Sequence, residues 1–338
     1  MTGLDLSLPV IWAVIIATAV ALYVVLDGFD LGIGILFPLL PAERDRDQMM
    51  NSVAPFWDGN ETWLVLGGGG LWIAFPKAFA VIMPALYIPV IVLLLALVFR
   101  GVAFESRWVA KPRQRGWDIA FAGGSIVAAF AQGLVVGGLL QGIVVKNGEF
   151  AGGTFDWLTP FSLMCACAMV CGYGLLGATW LVMKTDGEVA ARARTLAARL
   201  LFGLLAFIVV VSLWTPMAFP RIAERWFAMP HFVMLAPVPL ATVIVAFLCW
   251  RSLVQGGEVQ PFVCAVLLFL LAFVGLVVSN VPYLVPPTIT VWEAAAAPKS
   301  LVFVLVGVLI LLPVILAYTV FNYWVFRGKV RADVGYHH

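Results

Sequence analysis

The chain has 338 residues, 63% of them hydrophobic and 11% charged, with a mean hydropathy of +1.04 and a net charge of +2. Soluble domains carry about 25% charged and roughly 45–50% apolar residues. The composition therefore excludes a soluble protein and predicts an all-α integral membrane protein with many crossings. The small net charge supplies no basic surface, so no nucleic-acid partner is expected.

Met1 to Pro9 carry Asp5 and no Lys or Arg. The charged n-region of a signal peptide is missing, and the first apolar run is expected to stay as a spanning helix. A crossing needs about 20 mainly apolar residues. Nine stretches qualify, at about 8–38, 52–74, 79–99, 117–142, 158–183, 196–218, 231–250, 260–281 and 301–326. The first is longer than a bilayer requires and is expected to tilt, or to bend near Gly28, Gly32 and Gly34. With the N-terminus outside, the outer loops hold Lys77, Lys146, Arg221, Arg225 and Lys299. The inner loops and tail hold the other fifteen of the 20 basic residues. The positive-inside rule then favours nine transmembrane helices, N-out/C-in.

Segment 184–199, KTDGEVAARARTLAAR, reads as a cytoplasmic linker helix beside anionic headgroups. It separates a first helical bundle, residues 1–183 with spans 1–5, from a second, residues 200–338 with spans 6–9 and the tail. This is compatible with two four-helix bundles plus one peripheral helix.

Four carboxylates stand in stretches that are otherwise apolar: Asp27 and Asp30 in YVVLDGFDLGIGILF, and Asp58 and Glu61 in PFWDGNETWLVLGGG. Ionisable groups inside a membrane segment are rare, face protein or water, and mark ion or proton paths. Each pair is spaced i,i+3, on one helix face. Arg100 and Glu105, at the end of the third span, reach the same inner edge, so three successive helices form a polar inlet open to the cytoplasm. A purely structural reading competes: an aspartate pairs with Arg100 and fixes helix packing, and GFDLGIG and LGGGG are close-contact surfaces. Against it, the acids outnumber the one nearby base.

Other motifs carry less. Gly67 to Gly70 lack the Lys-Ser/Thr of a phosphate loop. His231, the only histidine outside the tail residues His337 and His338, reads as interfacial rather than as a haem ligand. Cys167 and Cys171 read as small hydrophobes rather than a metal edge. Most tryptophans fall near span ends, as in an aromatic belt. Trp57 instead sits beside Asp58, where it shields the carboxyl or contacts a quinone.

VLDGFDLGIG, NSVAPFWDGNETWL and FRGVAFESR, followed more loosely by LLQGIVV, LTPFSLM, GATWLVMKTDGE, TITVWEA and ILAYTVFNYWVFRG, resemble the successive hallmark segments of subunit II of the cytochrome bd quinol oxidases. The length and GILFPLL are similar to the cyanide-insensitive branch. The resemblance implies a bacterial cytoplasmic (inner) membrane, multi-pass subunit of a quinol:oxygen oxidoreductase that oxidises ubiquinol or menaquinol and reduces O₂ to water. It implies that two b-type haems and one d-type haem lie in the partner, subunit I, and that this chain ligates none. A small single-helix accessory subunit and a structural quinone occur in some members. It implies a proton path on Asp58 and Asp30, to which the residues add Asp27, Glu61, Glu105 and Arg100. The sequence departs from some relatives at Glu61, where they have Gln, and at Phe56, where they have His. The competing function is a stand-alone proton-coupled transporter; its broken helices in both halves are not evident.

Overall fold

The computed structural model describes residues 3–110, 113–229 and 231–330. The expectations for Lys111, Pro230, Arg331, His337 and His338 lie outside those residues. The chain is helical almost throughout, because its long apolar runs must satisfy their own backbone hydrogen bonds in lipid. The helices are α1 (Gly3–Leu36), α2 (Glu43–Asn51), α3 (Trp57–Ala74), α4 (Pro76–Ala85), α5 (Tyr87–Val109), α6 (Arg115–Gln141), α7 (Pro160–Lys184), α8 (Gly187–Ala218), α9 (Pro220–Phe227), α10 (His231–Leu235), α11 (Pro237–Val254), α12 (Gln260–Asn280), α13 (Val291–Ala294) and α14 (Pro298–Val325). Two short antiparallel hairpins, β1–β2 (Val145–Lys146 with Glu149–Phe150) and β3–β4 (Tyr283–Val285 with Ile289–Thr290), lie in loops.

Among the described residues, eight helices are long and apolar enough to cross a membrane, and α3 with α4 forms a ninth candidate bent by 120°. The bend falls at Phe75, whose non-helical backbone precedes Pro76, a residue that cannot continue a helix from that side. This shifts the expected second and third spans. Residues 79–85 belong to the bent-back α4, and the third span begins at Tyr87. Arg100, Glu105 and Arg107 therefore sit inside α5 rather than in a loop after it. The expected linker 184–199 is likewise helical: only Thr185 and Asp186 separate α7 from α8.

The helix α7 is central, packed against α1, α6 and α8. It approaches α1 so closely that a Cβ at Gly32 would lie 1.9 Å from the Tyr173 backbone oxygen, and one at Gly177 would lie 2.4 Å from the Gly32 carbonyl carbon. Glycines let membrane helices meet backbone to backbone in this way. The glycine-rich α3 runs antiparallel to α1, with Gly67 against Val20 and Gly70 against Ile16. Helix α14 is mostly exposed.

Contacts among loops define two ends of the bundle. At one, Arg107 bonds Asp47 and Asp118, Gln48 donates to the Val330 carbonyl, and Lys329 pairs with Asp186 and Glu258. At the other, the Trp12 indole donates to the Leu301 carbonyl and the Ile143 amide to the Pro286 carbonyl. The first end gathers most of the basic residues.

Candidate functional site

Arg100 of α5 lies 1% exposed, and Asp27 and Asp30 of α1 are both fully buried. The Arg100 Nη1 donates to Asp27 Oδ1 at 2.8 Å and to Glu61 Oε1 of α3 at 2.6 Å, and its Nη2 lies 3.8 Å from Asp30 Oδ2. The i,i+3 spacing of Asp27 and Asp30 turns both toward the same neighbour, as their position on one helix face requires. One guanidinium thus faces three carboxylates. Asp27 Oδ2, Asp30 Oδ1 and Arg100 Nε are buried without a hydrogen-bond partner in the protein. Glu61 is the member that reaches the surface, its side chain 27% exposed.

The cluster stands in the half of the bundle near the charged end. Asp30 lies six residues, roughly 9 Å, before the end of α1 at Leu36. Residues that sequence reasoning passed over complete it. The Asn60 amide Nδ2 donates to Asp30 Oδ2 at 2.7 Å and to the Leu26 carbonyl at 3.2 Å, while its Oδ1 accepts from the Tyr323 hydroxyl of α14 at 3.0 Å. On the Asp27 side, Tyr23 accepts from Gln132 Nε2 at 2.9 Å, and Tyr173 donates to Gln132 Oε1 at 2.5 Å. The signal for some of these was available: Tyr23, Gln132 and Tyr173 each stand as a lone polar group in an apolar stretch, and Tyr23 stands one helical turn from Asp27.

The structure does not bring every expected residue into the cluster. Asp58 and Glu105 are exposed in the chain taken alone. Asp58 is one turn from Glu61 on α3 and exerts charge repulsion on it; Glu105 stands apart from Arg100. The Trp57 ring lies 5.7 Å from the Arg100 guanidinium and 5.2 Å from the Phe104 ring, and rests over Gly101. Its packing therefore covers the arginine.

A second ion cluster lies at the charged end, where buried Arg107 bonds Asp118 at 2.6 Å and Asp47 at 2.5 Å over the Phe37 ring. It ties α5 to α6 and to the segment before α3. Beyond the spans, hydrogen bonds to Asp186 and Glu258 raise the Lys329 ammonium above its ordinary range. Among the described residues no group of three or more His, Cys, Asp and Glu is arranged to hold a metal ion. His231, the only described histidine, is exposed on the short α10.

The family model for cytochrome bd terminal oxidase subunit II matches residues 8–326. The chain is 27% identical to the cytochrome bd-I ubiquinol oxidase subunit 2 of Escherichia coli K12, covering 96% of this chain and 95% of that protein. It is 27% identical to the cytochrome bd ubiquinol oxidase subunit 2 of Bacillus subtilis, over 96% and 97% of the two chains. Its fold matches a chain in the structure of bd oxidase from Geobacillus thermodenitrificans with a TM-score of 0.72 at 17% identity, over 95% of this chain and 99% of that one. With a matched model that spans nearly its whole length, the chain belongs to the cytochrome bd terminal oxidase subunit II family, and is a multi-pass inner-membrane subunit of an oxidoreductase complex.

Proposed function

We propose that this chain ligates no haem, completes a bd-type terminal oxidase with a haem-bearing subunit I, and conducts cytoplasmic protons toward the site where that partner reduces O₂ to water. Ubiquinol or menaquinol is the electron donor, by analogy with the ubiquinol oxidases it resembles. The chain is arranged N-out/C-in. The helices of residues 1–183 form the first bundle and those of residues 200–338 the second, as two groups of four with one peripheral helix. The collection of basic loops at the end near the acid cluster supports this orientation.

The observation that carries the reading is one buried guanidinium against three carboxylates. Full ionisation would leave two negative charges uncompensated in a medium where each is costly. The cluster therefore binds and releases protons while Arg100 keeps an ion-pair partner. The unpartnered oxygens of Asp27 and Asp30 are suited to ordered water, which buried polar atoms usually recruit. Glu61 links this interior to the surface that bears Asp58. An exposed carboxylate at membrane depth faces protein or water rather than lipid, so the α3 flank is where subunit I docks and draws on the protons. Charge separates because electrons and protons arrive from opposite sides. A stand-alone transporter is less well supported, since the acids gather toward one end and, among the described residues, only one bent helix pair is present.

The test is Asp58→Asn in the assembled oxidase. The haem absorption spectrum is expected to stay as in the wild type, while quinol-driven O₂ uptake falls at least about tenfold, part of the 10²–10⁴-fold that a positioned proton-transfer group typically contributes. Wild-type respiration in an assembled variant would remove Asp58 from the path.

A further inference from the structure

Buried polar groups continue past the acid cluster into the apolar middle of the bundle, and the proton path just described makes no use of them. Tyr173 of α7 donates to Gln132 Oε1 of α6 at 2.5 Å, and Gln132 Nε2 donates to the Tyr23 oxygen of α1 at 2.9 Å. Tyr173 is 0% exposed, Tyr23 4% and Gln132 8%. The Gln132 amide is thereby oriented from both ends. Because the Tyr23 oxygen is already an acceptor, its own O–H proton remains to be donated. Asp27 stands one turn along the same helix, on the same face, and its Oδ2 is buried without another partner in the protein. Both hydrogen bonds of the arm run the same way, from Tyr173 through Gln132 to Tyr23, and so toward the helix face that carries that carboxyl. Aligned hydrogen bonds polarise one another in a low dielectric, and donors favour the anion.

Asp30 is held differently. Its Oδ2 takes one amide hydrogen from Asn60 and lies 3.8 Å from Arg100, beyond hydrogen-bonding distance, whereas Asp27 Oδ1 lies at 2.8 Å from the same guanidinium. We infer that Tyr23, backed by Gln132 and Tyr173, is a positioning residue that keeps Asp27 as the standing anion of Arg100, so that the mobile proton resides on Asp30 and Glu61. A carboxamide does not readily pass a proton along, so Gln132 also closes the arm as a conducting route. The arm serves as an anchor for charge, and exchange is confined to the Glu61 side. This rests on the proton-conducting reading above.

The groups that bear on Asp27 are Tyr23 and Asp30 on α1, Glu61 on α3 with Asp58 beyond it, Arg100 on α5, Gln132 on α6, Tyr173 on α7 and Tyr323 on α14. Removing one hydroxyl leaves all the others in place. The experiment is quinol-driven O₂ uptake by the purified two-subunit oxidase across pH, with Tyr23→Phe, Tyr173→Phe and Asp58→Asn. A hydrogen bond to a charged group is worth enough to move a titration by about one pH unit. Tyr23→Phe is expected to displace the pH–rate profile by about that much, with the haem spectrum unchanged. Tyr173→Phe, which lies farther away and is the milder change, is expected to displace it in the same direction by less. Profiles of both variants superimposable on the wild type, with Asp58→Asn slow, would overturn the role of the arm and leave the proton path standing. Wild-type rates in Asp58→Asn would instead remove the reading on which it rests.

Discussion

Arg100 is where the energetics of the site concentrate. It balances carboxylates from two helices, and the planar guanidinium reaches Asp27 and Glu61 through one nitrogen while its other terminal nitrogen points toward Asp30. A buried ion pair adds little net stability compared with an apolar pair, but removing one partner strands the others and costs about 3–5 kcal/mol. Arg100→Met is therefore expected to lower the stability of the purified oxidase by that order, measured as a fall in the midpoint of thermal unfolding. A midpoint equal to that of the wild type would mean that protonation of the acids fully replaces the arginine. The structural and functional readings of these acids are not exclusive, since the bond that fixes α1 against α5 is also the one that, on the proposed path, would hold a charge in place for proton traffic. Asp27, Asp30, Glu61 and Arg100 were legible in the sequence because charge in an apolar run stands out. Asn60, Tyr23, Gln132 and Tyr173 were less so, because uncharged polar groups occur in membrane helices without functional consequence.

At the scale of the helix, the tightest constraint is the crossing of α1 and α7. Gly32 offers no room for even a methyl group, whereas a Cβ at Gly123 of α6 would meet nothing within 4 Å. Overpacking costs about 1–3 kcal/mol where the neighbour can yield, and here the neighbour is backbone. Gly32→Ala is expected to lose at least that much thermal stability or to fail to assemble, while Gly123→Ala stays within about 0.5 kcal/mol of the wild type, as surface changes do. Equal stability of the two variants would refute the close crossing. The same scale shows why some elements escaped sequence reading. The first span stands out by its apolar length, and the last two by their high hydropathy. Helix α3 mixes acids and glycines into its crossing, so its hydropathy is low and the turn at Phe75–Pro76 is hidden within a continuous apolar stretch. Helix α8 begins well before its apolar part, with the polar turns around Glu188 and Arg192 that pair across i,i+4. Helix α9 and the two hairpins are too short for hydropathy to register.

For the whole molecule, the question is which flank is covered. The helices α3 and α14 leave long faces exposed in the isolated chain, and most of those faces are apolar enough for lipid. The α3 face differs because Asp58, Thr62 and Val65 lie along one stripe and are all exposed. A carboxylate and a hydroxyl on that stripe are poorly suited to hydrocarbon, so the stripe is expected to meet protein. Val65 is 72% exposed, and Val243 of α11, on the second bundle, is 67% exposed. Neither side chain is needed for the fold, so a large residue at either position is tolerated by the isolated chain. If subunit I covers α3, Val65→Trp forces an indole into a packed interface. The overpacking cost of about 1–3 kcal/mol then weakens association by up to about a hundredfold, since 1.4 kcal/mol is a factor of ten. Val243→Trp lies on α11, away from the α3 stripe, and is expected to leave association unchanged. Co-purification of the haem-bearing subunit with each tagged variant, read from the haem absorbance per mole of this chain, separates the cases. Loss with Val65→Trp alone supports docking on α3. Full haem recovery with Val65→Trp would place the partner elsewhere and leave Asp58 without an acceptor for the protons assigned to it.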